Sequence, residues 1–107
     1  MSFRRKTVRL IIEREGQIHR RGKIIPCTVI NLNEEGVRVK AQSPVTLGEE
    51  LQLDCWLVKE RSVQCTVQVT YVRSPYFGAR ITHISPEQQH HLREFLDDLF
   101  TTNFRTG

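Results

Sequence analysis

Two short groups of polar residues stand out in the sequence for their residue types and their spacing. The first is a pair of arginines in the segment Arg5-Lys6-Thr7-Val8-Arg9. Residues four positions apart project to the same side of a helix or of an extended strand, so both guanidinium groups can reach one anion. A guanidinium donates a planar pair of hydrogen bonds to phosphate oxygens and can also stack on a purine ring. The arginine pair therefore favours a ligand that contains both phosphates and bases.

The second group is the segment Asn31-Leu32-Asn33-Glu34-Glu35-Gly36. If a strand continues through Asn33, Asn31 and Asn33 share one face, where each carboxamide offers two donors and an acceptor to the edge of a base. We expect Gly36 to adopt a positive φ and to close the turn. The other interpretation is purely structural, because Asn and Gly are also the residues that a hairpin requires.

The remaining polar residues do not form a catalytic or metal-binding pattern. No two histidines share a face at the spacing of metal ligands, and the sequence has no nucleophile turn and no phosphate-binding glycine loop. The cysteines are odd in number and none is in a Cys-x-x-Cys motif, so we expect them to be reduced and buried: Cys27, Cys55 and Cys65. We therefore expect a protein without catalytic activity, bound metal or cofactor.

Length and charge limit the class of protein further. The 107 residues suffice for one domain, and the net charge of +4 is unevenly distributed along them. Residues 1–23 carry eight basic and two acidic groups, whereas the rest of the chain carries eight basic and ten acidic groups. A basic N-terminal segment attracts anions. No apolar run reaches the roughly 18 to 20 residues that span a bilayer, and the N-terminus lacks the apolar stretch of a secretory signal, so we expect a cytoplasmic protein.

The hydrophobic pattern predicts strands followed by one helix. Apolar residues alternate or cluster in runs typical of strands, with a polar connection between Gly16 and Gly22; the predicted strands are 7–13, 24–32, 37–41, 51–57, 63–72 and 77–84. Strands in series with short turns favour an antiparallel barrel or sandwich.

The helix has a clear start signal in the sequence. Ser85 is expected as its N-cap, Pro86 as its first residue and Gln88 as the partner of Ser85 in a capping box. An apolar stripe at helical spacing is expected to cover an open mouth or face of the barrel: Leu92, Phe95, Leu96 and Leu99.

Taken together, the two polar groups resemble the bipartite signature of PilZ domains, Arg-x-x-x-Arg followed by Asp/Asn-x-Ser-x-x-Gly. The resemblance continues through Leu47-Gly48, the strand with Val67 and Val69, the segment 77–81 and the closing Leu-rich helix. It implies a mainly β fold, a six-stranded antiparallel β-barrel with a C-terminal α-helix. It also implies one domain over residues 1–107, with a flexible basic arm at 1–9, the barrel at 10–84 and the helix at 85–100.

The same resemblance implies a function for each motif residue. Arg5 and Arg9 would clasp the phosphate and guanine of cyclic di-GMP, Asn31 would contact guanine and Gly36 would permit the turn. Asn33 stands where the family usually has Ser, and its amide either replaces the hydroxyl contact or crowds the base. Arg4 resembles the residue of those members that bind two stacked ligand molecules.

The sequence is compatible with three functions. The first is a cyclic di-GMP receptor that regulates motility, biofilm, exopolysaccharide or virulence through a protein partner. The second is a degenerate PilZ-like adaptor that has lost nucleotide binding and acts through protein contacts alone, which the Ser-to-Asn departure supports. The third is a barrel that binds RNA or single-stranded DNA, which ranks last because such a surface needs several aromatic stacking platforms beside the charge, and Trp56, Tyr71 and Tyr76 are remote in sequence from the basic arm.

Overall fold

The fold is a small β-barrel closed by a helix. The computed structural model describes residues 11–58 and 61–104, with the side chains of residues 58, 61 and 99–104 excepted. The elements, in chain order, are β1 (Ile11–Arg20), β2 (Lys23–Leu32), β3 (Gly36–Ala41), β4 (Glu50–Val58), β5 (Arg61–Arg73), β6 (Tyr76–His83) and α1 (Pro86–Phe104). The predicted arm at residues 1–9 lies outside the described residues.

All six strands pair with antiparallel neighbours in the order β1-β2-β3-β6-β5-β4, and β1 also pairs with β4, which closes the barrel. Side chains at alternate positions point inward and form the core, as the period of two predicts. Val29 and Val39 pair across β2 and β3 and are completely buried, and Val67 and Val69 of β5 are almost so. The predicted six-stranded antiparallel barrel with a C-terminal helix is therefore confirmed.

Strand β1 differs from its sequence prediction. The expected polar connection between Gly16 and Gly22 is wrong, because the chain remains extended to Arg20. The turn consists of Arg21 and Gly22, whose φ angles of 51° and 77° belong to a two-residue hairpin that matches the strand twist. Within β1, Ile18 is buried and pairs with Ile25 of β2. Gln17 and His19 are thus strand residues on the less buried face of the barrel.

Helix α1 begins as predicted and extends to Phe104, four residues beyond its expected end at residue 100. The Ser85 hydroxyl accepts a hydrogen bond from the backbone N–H of Gln88 (3.1 Å), which is the expected N-cap. The reciprocal half of the capping box is absent from the described contacts, because Oε1 of Gln88 instead accepts the backbone N–H of Gln64 in β5 (2.8 Å). Gln88 therefore ties the helix to the sheet.

The apolar stripe of α1 packs onto the barrel, mainly against β5. Leu92 and Phe95 are buried in the core, Leu96 packs against it, and the side chain of Leu99 lies outside the described ones. No helix among the described residues is long and apolar enough to cross a bilayer.

The three cysteines are free and buried, as expected. Burial raises the pKa of each thiol from 9.0 to about 12, so the thiols stay protonated at neutral pH: Cys27, Cys55 and Cys65.

Candidate ligand-binding site

The turn between β2 and β3 is organised by the side chain of Asn33. Its Oδ1 accepts hydrogen bonds from the backbone N–H groups of Glu35 (2.8 Å) and Gly36 (2.9 Å). Its own backbone N–H donates to the carbonyl oxygen of Gly36 (3.0 Å). These contacts fix the carboxamide in one orientation, as in an Asx-turn. The Nδ2 group has no partner among the described residues.

Asn31 occupies a different position from the one that the spacing predicted. Strand β2 ends at Leu32, and its pairing with β3 shifts by one residue between Val29 and Asn31. The condition for Asn31 and Asn33 to share a strand face is therefore not met. Asn31 lies between Ile11 of β1 and Arg38 of β3. It is next to the point where the basic segment joins the barrel, because Arg9 precedes Ile11 by two residues.

Gly36 is needed for a reason other than the predicted one. Among the described glycines only Gly22 and Gly48 have a positive φ, so the expectation of a positive φ at Gly36 is wrong. Gly36 is the first residue of β3 and pairs with Arg80 of β6. A Cβ atom at this position would lie 2.7 Å from the carbonyl oxygen of Ala79, which is closer than real contacts allow. Glycine is thus required at position 36 because β3 and β6 approach each other closely there.

A groove of about 200 Å³ extends from this turn across the outer face of β3, β6 and β5. Its lining includes Asn33, Gly36, Arg38, Tyr71, Gly78 and Arg80. Tyr71 pairs with Gly78, and its ring lies so close that a Cβ at Gly78 would be 2.1 Å from Cε2. Because the Tyr71 side chain is still 43% exposed, its ring forms an accessible wall of the groove.

Two arginines make the groove cationic. Nε and Nη2 of Arg80 donate to Oε1 of Gln68 (3.4 and 3.2 Å), which orients the guanidinium. The guanidinium of Arg38 lies 4.9 Å from the ring centroid of Tyr76, and the amino group of Lys40 lies 5.9 Å from it. Basic and aromatic side chains therefore do interleave on the outer face of the sheet.

Sequence reasoning missed Arg38, Tyr71 and Arg80 as site residues. Their outward position could be inferred from the period of two in each strand. Their proximity to Asn33 depends on the pairing of β3 with β6 and of β6 with β5, which no local pattern reveals. Arg4, Arg5 and Arg9 lie outside the described residues, so their part in the site stays a prediction.

A larger depression of about 740 Å³ lies elsewhere on the barrel, beside the half-exposed Trp56. It contains none of the predicted site residues, and its charged side chains are one acid and one base, Glu15 and Lys40. In the described part of the chain, no three His, Cys, Asp or Glu side chains are placed to hold a metal ion.

Comparison with known proteins agrees with this architecture. The family model for the PilZ domain matches residues 3–98, a range that includes both polar motifs. The chain therefore belongs to the PilZ domain family, whose members are receptor or adaptor domains associated with cyclic di-GMP signalling. The predicted family membership is confirmed.

Among solved structures, the inhibitor of motility MotI/DgrA of Bacillus subtilis is similar, with a TM-score of 0.72 and 20% sequence identity. The match covers 94% of this chain but 53% of the other, so the chain spans about half the length of that protein. At this identity the likeness establishes the fold. No match to a curated protein was found.

Proposed function

We propose that this PilZ domain is a non-catalytic cytoplasmic receptor for cyclic di-GMP, and that its groove receives a guanine base. The observation that carries the proposal is the groove itself. It joins the fixed carboxamide of Asn33, whose Nδ2 has no partner in the described part of the chain, to the exposed ring of Tyr71 and the guanidinium of Arg80. A donor, a stacking surface and a planar cation are the groups that recognise a guanine by its edge and its face.

The proposed roles follow from the chemistry of each group. Nδ2 of Asn33 donates to the carbonyl oxygen or a ring nitrogen of the base, and Tyr71 supports its face. Arg80 is already oriented by Gln68 and retains N–H groups for a second hydrogen bond. Arg38, which lines the same groove, provides positive charge for a phosphate.

The size of the groove supports a role for the arm. Pockets that enclose a whole small-molecule ligand measure roughly 300 to 1,000 Å³, so a groove of about 200 Å³ holds only part of a cyclic dinucleotide. The rest of the ligand requires a second binding element. Arg5 and Arg9 are the proposed element, since Arg9 is only two residue steps, or at most about 7 Å of chain, from Ile11 beside Asn31. Arg4 would add a contact if two ligand molecules stack.

A second candidate, the nucleotide-free adaptor, is favoured by a specific observation. The fold alone accounts for both motif residues of the turn, without a ligand. Oδ1 of Asn33 caps the turn, and a glycine at position 36 avoids a clash with Ala79. In this case the domain would act through a protein partner alone. Because the structurally similar MotI/DgrA is an inhibitor of motility, motility is the first process to test for either candidate.

Calorimetric titration separates the two candidates. Wild-type protein is titrated with cyclic di-GMP, with GMP and a single-stranded oligonucleotide as control ligands. We expect binding of cyclic di-GMP only, and about a tenfold or greater loss in Arg5→Ala and in Arg9→Ala, because a charge-assisted hydrogen bond contributes roughly 1.5 to 3 kcal/mol. Lys23→Ala is the matched control, since it removes one positive charge at the other end of β2.

The variants also test the mode of binding. Equal affinity of wild type, Arg5→Ala and Arg9→Ala would contradict a role for the arm. Wild-type affinity in Tyr71→Ala would contradict stacking of the base on the Tyr71 ring. Absence of cyclic di-GMP binding in the wild type would favour the adaptor.

A further inference from the structure

Helix α1 reaches the candidate site through one ion pair. Nε of Arg93 lies 3.5 Å from Oε2 of Glu34, the residue that follows Asn33 in the β2–β3 turn. Arg93 is the only Lys or Arg in the helix sequence, and the other charged residues there are acidic: Glu87, Glu94, Asp97 and Asp98. A helix with an acidic surface thus presents its one cation to the turn.

The turn needs such a cation if its ligand is an anion. Glu34 and Glu35 are consecutive, and both follow Asn33, whose carboxamide is the proposed contact for the base. Glu35 lines the groove itself. Two carboxylates at the edge of a site repel a phosphodiester, and the repulsion extends over roughly the Debye length of 8 to 10 Å at physiological salt.

The position of Arg93 is set by buried neighbours rather than by the ion pair. Leu92 and Phe95, on either side of it, are 1% and 7% exposed. The Phe95 ring is also approached by the guanidinium of Arg14 at 5.7 Å, and Nε of Arg14 donates to the carbonyl oxygen of Leu57 (3.0 Å). The backbone of α1 is therefore fixed at this point, which places Arg93 within reach of Glu34.

We propose that Arg93 is a positioning residue of the ligand site: it compensates the charge of Glu34 and so lowers the electrostatic cost of binding an anionic ligand at the β2–β3 turn. The proposal rests on the proposed function, since it takes cyclic di-GMP as the anion. Both partners are about half exposed, at 57% and 46%, so the effect is moderate. The free energy of an exposed ion pair of this kind corresponds to about a two- to fivefold change in an equilibrium constant.

A double-mutant cycle tests the proposal with cyclic di-GMP as the titrant. We expect Arg93→Ala to weaken binding about two- to fivefold and Glu34→Gln to tighten it by a similar factor. The double variant, in which the local charge is again balanced, should bind like the wild type. The differences of both single variants from the wild type should shrink when KCl is raised from 0.1 to 1 M, because the Debye length falls to about 3 Å.

The control variant is Lys23→Ala, which removes the same charge at the far end of β2, about 30 Å from Asn33. It should bind like the wild type. A purely structural role of Arg93 predicts instead that the double variant binds as weakly as Arg93→Ala, and this result would overturn the proposal. Arg93→Ala affinity equal to that of the wild type and of Lys23→Ala would overturn it as well, while leaving the proposed function intact. No binding by the wild type would overturn both.

Discussion

Asn33→Asp should leave the protein as stable as the wild type while weakening its binding of cyclic di-GMP. A carboxylate oxygen can accept the same two backbone N–H groups, of Glu35 and Gly36, that Oδ1 accepts now at 2.8 and 2.9 Å. The turn is therefore preserved. The substitution removes the Nδ2 donor and adds a third negative charge to the turn. Because an unmade hydrogen bond to a buried polar group costs roughly 1 to 3 kcal/mol, affinity should fall about fivefold to more than a hundredfold.

Asn33→Ala provides the contrasting variant. It removes both side-chain hydrogen bonds of the turn, and loss of a comparable helix-capping side chain costs roughly 0.5 to 2 kcal/mol. For a domain of about 100 residues, each kcal/mol lowers the melting temperature by about 4 °C or more. Asn33→Ala should thus lose both stability and affinity, whereas Asn33→Asp should lose affinity alone.

Asn33→Ser restores the residue that is usual in the family. A Ser hydroxyl can still accept a backbone N–H, so the change in stability should be small. We expect binding to weaken several-fold to a hundredfold because the carboxamide donor is lost.

Urea denaturation and calorimetric titration of the three variants check these expectations. Asn33→Asp that is less stable than the wild type by more than about 1 kcal/mol would contradict the turn assignment. Wild-type affinity in Asn33→Asp or Asn33→Ser would show that the amide does not contact the ligand, and tighter binding by Asn33→Ser would show that Asn33 crowds the base.

Most of the fold could be predicted because a strand that is buried on one face alternates apolar and polar residues with a period of two. Strand β1 is the exception, and its cause is local. Glu13 has a φ of 49°, and the pairing of β1 with β2 shifts between Ile11 and Arg14. This irregularity interrupts the alternation after Ile12. The inward positions that follow include Gly16, which has no side chain because a Cβ would lie 2.7 Å from the carbonyl oxygen of Asp54. A search for alternating apolar residues does not identify a buried glycine as an inward-facing position.

The candidate site was predictable where chemistry is local and unpredictable where it depends on another strand. The sequence indicated that Asn33 could cap the turn, since Asx-turns need only residues two and three positions ahead. The reason for Gly36 lies 43 residues away at Ala79. The contact of Tyr71 with Gly78 likewise depends on a shift in the pairing of β5 with β6 between Val69 and Tyr71. Local sequence carries no information about that shift.

Three further expectations concern stability and reactivity. Gly36→Ala should destabilise the protein by about 1 to 3 kcal/mol in urea denaturation, because the backbone of Ala79 cannot move aside at little cost; wild-type stability would contradict the close approach. The thiols, with pKa values raised by burial to about 12, should react with a thiol reagent at pH 8 only as fast as the protein opens, and rapid reaction without denaturant would contradict their burial: Cys27, Cys55 and Cys65. The last concerns Glu49: burial alone would raise the pKa of this carboxyl, but its hydrogen bonds from Arg20 and from the Thr46 backbone, with the nearby positive charge, lower it below its usual 4.5. A lowered folded-state pKa adds stability that is fully present above about pH 4.5 and is lost as the pH falls through the folded-state value. Glu49→Gln should therefore lower the melting temperature at pH 7 and flatten its decline between about pH 5 and pH 3. If the variant keeps the wild-type melting temperature at pH 7 and the wild-type slope in acid, the pair of Glu49 with Arg20 does not contribute to stability.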